Sequence, residues 1–205
     1  MNHLNHHRRW ATLALSLSLL APWGAQAQNA SSPANSSTPK VRISTSMGDI
    51  EAELYADKAP KTVANFLQYV NDKHYEGSIF HRVIPGFMLQ GGGYDGQYRE
   101  KKTRAPVAHE GRQALAAGLK NTAGTLAMAR TNDPQSATAQ FFINVVDNAF
   151  LDPSMQNFGY TVFGKVTSGM DVVQKIRNTP TGAGGPFPTD VPRTPVVIQS
   201  ITLLK

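Results

Sequence analysis

Between residues 80 and 92 the chain runs Phe80-His-Arg-Val-Ile-Pro-Gly-Phe-Met-Leu-Gln-Gly-Gly92, two short apolar runs hinged on Pro85-Gly86. Proline presets the backbone for the first corner of a turn and glycine accepts conformations that other residues avoid, so the pair closes a hairpin. In an extended strand Arg82 points to the face opposite His81. Past the turn, Met88 and Gln90 share one face, and Phe87 takes the other unless the strand bends. Taken alone this is a hairpin with one edge arginine, and such a cation is far more often solvated than chemical.

The same period-two patterning recurs on both sides of this stretch. Val41, Ile43 and Thr45 share a face, Gly48-Asp49 makes a turn, and Ile50, Ala52 and Leu54 continue the alternation, which predicts a second hairpin. Further strand-like runs fall at 79–83, 87–90, 125–129, 141–145, 161–166 and 196–203. Helical spacing occurs twice: at Val63, Phe66, Leu67 and Val70 behind Pro60, a residue suited to a first helical turn, and over 170–177. Many short strands with a helix near each end predict an antiparallel barrel or sandwich rather than a parallel α/β sheet. No internal repeat is visible.

The chain has 205 residues, enough for one domain once its first 40 positions are set aside as outside the fold. It contains no cysteine, which excludes a disulfide scaffold, a thiolate zinc site, an iron–sulfur cluster and a cysteine nucleophile. Arg8 and Arg9 precede an apolar run from Trp10 to Leu20, and Ala25-Gln26-Ala27 follows with small residues at the spacing of a cleavage site. This three-part pattern predicts a secretory signal peptide over residues 1–27 and hence an exported protein. The apolar run falls short of the ~20 residues that cross a bilayer, so no membrane anchor is expected after cleavage. Loss of the two arginines lowers the formal charge from +6 to +4. Residues 28–40 carry no large apolar side chain and are expected to form a flexible Ser/Asn/Pro linker, leaving 41–205 as the folded domain.

Several motifs fail on inspection. Gly91-Gly-Gly93-Tyr-Asp-Gly96 matches a dinucleotide fingerprint, but the residues after it lack a helical period and no acid stands about 20 positions on, so a mobile glycine loop is expected. Arg99, Lys101, Lys102 and Arg104 could hold a polyanion or a membrane surface; a solvated loop is the expectation, with no nucleic-acid binding. His74, His81 and His109 lack metal-ligand spacing, and no serine sits in a nucleophile elbow.

With these classes set aside, the sequence resembles the cyclophilin-type peptidyl-prolyl cis–trans isomerases, and most of all the bacterial periplasmic members. The resemblance rests on the 80–92 stretch, on Gly124-Thr-Leu-Ala-Met-Ala129, on Gln140-Phe-Phe-Ile143 and on Phe163-Gly-Lys-Val166, in the right order and spacing from Val41 to the end. It implies a mainly β fold, a closed eight-stranded antiparallel barrel capped by two α-helices. It also implies a monomer without cofactor or metal that acts on proline-containing, unfolded or partly folded polypeptides. Arg82 matches the family's catalytic arginine, with Gln90 expected to hold it and the substrate backbone. Phe87, Met88, Phe142 and Leu151 are expected to form the proline pocket, Gln140 to add a polar contact, and Ala129 and Arg130 to line the groove. Three positions depart from common family members: Arg130 replaces Asn, Tyr160 replaces His, and Phe150 replaces the Trp of cyclosporin-sensitive members. The last implies weak cyclosporin binding. A cyclophilin-like binding or chaperone module without turnover is the alternative, and it would be expected to have lost Arg82 or its pocket.

Overall fold

A computed structural model describes residues 38–204. The expected signal peptide and most of the linker lie outside the described residues. Eight strands close into one antiparallel barrel: β1 (Lys40–Thr45), β2 (Gly48–Leu54), β3 (Ser78–Ile84), β4 (Met88–Asp95), β5 (Thr125–Met128), β6 (Phe141–Asn144), β7 (Val162–Ser168) and β10 (Val197–Leu204). Around the barrel the order is β1-β10-β3-β4-β6-β5-β7-β2. The first hairpin follows its alternation: Val41 pairs with Ala52 and Ile43 with Ile50, and all four are buried.

The interior is filled from both ends of the chain. Helix α1 (Pro60–Asn71) inserts Phe66 among Tyr75, Phe141 and Phe163, with ring centroids 5.2, 5.6 and 5.1 Å away. Such aromatic pairs add about 0.5–1.5 kcal/mol each beyond their burial. Helix α3 (Met170–Arg177) adds Val172, Val173 and Ile176 to the same core.

A third, shorter helix, α2 (Gly111–Ala116), was invisible to periodicity because six residues make too few turns to show one. Its leading residue explains its place. Helix α1 begins after Ala59, which has no capping side chain, and its orphan donors go instead to buried Glu110. That carboxylate accepts from the Lys61 and Thr62 backbone N–H groups at 3.1 and 2.8 Å and from the Thr62 hydroxyl at 2.8 Å. The cap thus comes from 49 residues away, and it also places a negative charge at a helix N-terminus, where it is favoured.

Two further strands, β8 (Thr181–Gly184) and β9 (Phe187–Pro192), form a separate hairpin that lies against β3. Their Gly- and Pro-rich sequence carries no strand pattern. The contact is aromatic: His81 sits between Tyr94 and Phe187 at 4.8 and 5.2 Å. His81 is 3% exposed and its Nδ1 has no hydrogen-bond partner. Burial therefore lowers its pKa to about 4.

An unfolded chain binds a proton at His81 near pH 6.5, whereas the folded chain resists it down to about pH 4. Below pH 6.5 the unfolded state gains protons that the folded state does not, so stability falls as pH falls through this window, by about 3 kcal/mol at its lower end. His74 and His109, also lowered by burial, act in the same direction. Thermal melts from pH 7 to 4 should show the decline, and His81→Phe should make it shallower by roughly 5–10 °C at the acid end. An unchanged pH slope in that variant would remove His81 from the account.

Candidate active site

The chain's alternation breaks where the site is built. Phe80 and Val83 are both fully buried in the barrel core although they lie three residues apart. A β-bulge makes this possible: Phe80 pairs with Gly91 and Arg82 with Gln90, so two steps along β3 answer one along β4. His81 and Arg82 are thereby left together outside the barrel interior, the first covered by the β8–β9 hairpin and the second exposed.

From Arg82 a single cross-strand row runs over the outer wall. Arg82 pairs with Gln90, Gln90 with Phe142, Phe142 with Ala127 and Ala127 with Val162, across five neighbouring strands. Strands β5 and β6 are buried at every position because their other face packs inside the barrel. Met88, Ala127, Phe142, Leu151 and Val162 form a second, outer apolar cluster.

On this cluster lies a pocket of about 110 Å³. Its apolar lining comes from Phe87, Met88, Ala129, Phe142, Leu151 and Tyr160, and its polar lining from Arg82, Gln90 and Arg130, with Phe87 beside Arg82. It is well below the 300–1,000 Å³ of a drug-sized site and suits one small ring. Phe87 precedes β4: its N–H donates to the Ile84 carbonyl at 2.9 Å, so it belongs to the turn, which is how it and Met88 reach the same pocket. Phe150, 67% exposed, does not line the pocket but stacks on Phe87 at 5.6 Å. Gln140 lies in the adjoining groove of about 390 Å³, which Glu100, Thr103, Thr131, Ser136 and Thr138 also line. The sequence reading missed those five residues, whose polar side chains carry no pattern of their own.

The polar rim is differentiated by its bonding. Arg130 Nε donates to the Gly159 carbonyl at 3.0 Å and its guanidinium lies 4.6 Å over the Tyr160 ring, so it braces the wall. Among the described residues, Arg82 makes no hydrogen bond or ion pair through its side chain; its guanidinium lies 6.0 Å from the Phe87 ring. Gln90 is Arg82's cross-strand partner, yet its Nε2 donates to Gln140 Oε1 at 3.0 Å and no hydrogen bond joins it to Arg82. A further device missed from sequence is a buried amide network: Asn148 Nδ2 donates to the Phe87 carbonyl and to Asn144 Oδ1, and Asn144 to Asn121 and Thr125. It ties the aromatic wall to the barrel. The one signal was Asn144, a polar residue ending an apolar strand.

The glycine run is not a mobile loop. Gly91, Gly92 and Gly93 are buried within β4, and a Cβ on them would meet Phe80 at 3.0 Å, Tyr75 at 2.8 Å and Gln140 at 2.5 Å respectively. Of the basic loop, Arg99 pairs with Asp95, Arg104 with Asp72, and Lys101 donates to the Glu76 carbonyl, which leaves Lys102. That bonding favours a strap along the barrel over a polyanion site.

A family model for the cyclophilin type peptidyl-prolyl cis-trans isomerase/CLD matches residues 40–203. The chain belongs to this family. It is 53% identical over 163 residues to the peptidyl-prolyl cis-trans isomerase of Acinetobacter baylyi, covering 80% of this chain and 84% of that one. It is 52% identical over 166 residues to peptidyl-prolyl cis-trans isomerase B of Escherichia coli, covering 80% and 98%. A Cryptosporidium parvum cyclophilin type isomerase, solved in the presence of the dipeptide Ala-Pro, superposes with a TM-score of 0.62 at 27% identity, covering 81% of this chain and 99% of that one. The cyclophilin fold and the activity, cis–trans isomerisation of peptidyl-prolyl bonds, follow, and both agree with the expectation from the motifs.

In this cyclophilin Gly93 has a specific task. Its backbone lies outside the positive-φ region, so alanine fits the chain but not the space: the new Cβ would sit 2.5 Å from Gln140 Cγ and Cδ. Gln140 would swing away and release Gln90. Gly93→Ala should lower kcat/KM by roughly tenfold with little change in melting temperature, since small misplacements cost catalysis more than stability. In a Gln140→Ala background the same change should cost nothing further. Additive losses in that cycle would show that Gly93 acts by another route.

Proposed function

We propose that the protein is exported to the periplasm and speeds folding there by rotating X-Pro bonds in unfolded or partly folded polypeptides. The N-terminal pattern of two arginines, an apolar run and Ala25-Gln-Ala27 supports export, and the reading takes the mature protein as a monomeric domain behind a short tether.

The observation that carries the mechanism is a guanidinium with no hydrogen bond or ion pair among the described residues, beside a pocket the size of a small ring. Rotation about an X-Pro bond has a barrier of ~18–20 kcal/mol because the amide must lose its double-bond character. No bond breaks, so neither nucleophile nor cofactor is required. In the twisted state the nitrogen becomes pyramidal and regains a lone pair. A donor fixed near that nitrogen stabilises the twisted amide more than either planar form, and such differential binding is what accelerates a reaction.

Arg82 suits the task because guanidinium is charged at any working pH and donates without giving up a proton. Its charge is not spent on a carboxylate, unlike those of Arg42, Arg99 and Arg104. Met88, Phe142 and Leu151 seat the proline ring and exclude water, which strengthens the donor's effect. Gln90, fixed by Gln140, is placed for the substrate backbone.

Arg82→Ala should reduce kcat/KM on an Ala-Pro peptide by roughly 10²–10³, the effect of deleting one preorganised donor, while an exposed side chain without partners leaves the melt unchanged. Full activity in that variant rejects the role. Absence of turnover in the wild type would favour a binding module instead.

Phe150, stacked on Phe87 at the pocket rim, lacks the indole donor of tryptophan. Cyclosporin binding is therefore proposed to be weak. Phe150→Trp should tighten inhibition by roughly 5- to 150-fold, the worth of one directed contact with added apolar area, and leave small-peptide turnover nearly unaltered. Equal inhibition of the two proteins would refute this.

A further inference from the structure

Among the described residues few large apolar side chains are left in water, and three of the four lie close together in sequence. Phe150, Met155 and Phe158 are 67%, 92% and 50% exposed, and they fall within nine residues of one another; Leu203, near the end of β10, is the other such residue among those described. Scattered single exposures carry no meaning, but a cluster marks a contact surface.

The segment that carries Met155 and Phe158 is braced, so both are presented from a held backbone. Asp152 accepts from the Asn121 backbone and side chain at 2.7 and 2.9 Å. Ser154 takes Arg112 Nη2 on its carbonyl at 3.1 Å and the Asn157 N–H on its hydroxyl at 3.2 Å. Phe158 lies under the Arg112 guanidinium at 5.7 Å and meets the edge of His109 at 6.2 Å. The neck is closed by the Tyr160 N–H, which donates to the Leu151 carbonyl at 2.9 Å. A compact loop with joined ends is a frequent place for function.

The neck residues, Leu151 and Tyr160, are themselves walls of the proline pocket, and Phe150 continues the surface through its stack on Phe87. We infer that the 152–159 loop is an extension of the substrate groove, receiving apolar side chains of the client polypeptide that lie a few residues from the bound proline. This rests on the isomerase reading of the pocket. On this reading a chain seated with its proline beside Leu151 leaves past this rim, and its neighbouring apolar side chains are covered there while the proline turns. A second copy of the protein fits less well. Stable dimers bury about 800 Å² on each partner, whereas these three residues offer roughly 400 Å².

The test compares two long peptides with one central Ala-Pro, one flanked by Leu and Phe and one by Ser, against an Ala-Pro tetrapeptide. On the wild type the apolar-flanked peptide should have a KM about five- to tenfold lower than the Ser-flanked one, the factor for covering a partly exposed side chain. In the Met155→Ser, Phe158→Ser double variant that difference should vanish, with tetrapeptide turnover unchanged. Met155→Glu is the second variant: a side chain 92% exposed adds nothing to folding, and it should weaken the preference by itself. Equal KM values for the long peptides on the wild type overturn the inference without any variant. A preference that survives both variants overturns it too. A dimer that Met155→Glu dissolves would assign the patch to a second copy instead. If the wild type fails to turn over the tetrapeptide, the isomerase reading itself falls and takes this inference with it.

Discussion

The site depends on one extra residue in β3. Strand alternation sends every second side chain outward, and without the bulge between Phe80 and Arg82 either Phe80 or Val83 would leave the core. The bulge keeps both inside and puts Arg82 on the outer wall, in register with Gln90 and, through it, with Phe142. Backbone hydrogen bonds across three strands then hold a cation, an amide and an aromatic ring in one row. A closed barrel has no free edge along which that register can slip. The placement of Arg82, Gln90 and Phe142 thus rests on ladder geometry, while Phe87, Leu151 and Tyr160 complete the pocket from outside the strands.

The chemistry explains why rigidity matters here. Amide rotation asks for no proton transfer, so the protein has no need to tune a group toward neutral pH, and its perturbed histidines serve the fold. What the reaction asks for is a donor already in place, since reorganising dipoles during the reaction would return much of the gain. The three buried glycines of β4 let Phe80, Tyr75 and Gln140 press against the strand that carries Gln90. The asparagine network does the same for Phe87 from the other side. Of the two arginines on the rim, Arg130 is bonded, and Arg82 has no side-chain hydrogen bond or ion pair among the described residues.

His81 stands next to Arg82 in the chain and shows how local charge is kept simple. Burial under Phe187 and beside Tyr94 holds it neutral at any pH above about 4, so no second cation develops beside the guanidinium. The β8–β9 hairpin that covers it contributes nothing to the pocket directly. Its place in the fold is to seal the outer face of β3 next to Arg82.

Local patterning in the sequence was enough for an antiparallel barrel or sandwich, and the resemblance to a family implied that the barrel closes. The alternation at Val41, Ile43, Ile50, Ala52 and Leu54, the helical stripe behind Pro60 and the short runs between turn residues name most strands and two helices, because burial on one face imposes a period that any reader of the chain can see. The pocket residues were legible through their motifs, which is a resemblance and not a period: nothing in the spacing alone separates Arg82 from a solvated edge arginine. Tertiary structure decided the rest. The bulge beside Arg82, the capping of α1 by Glu110, the bond from Gln90 to Gln140, the strand rather than loop at Gly91-Gly92-Gly93 and the docking of β8–β9 on His81 all join residues far apart in the chain. Each is set by which atoms meet after the barrel closes, and local sequence carries no record of that meeting.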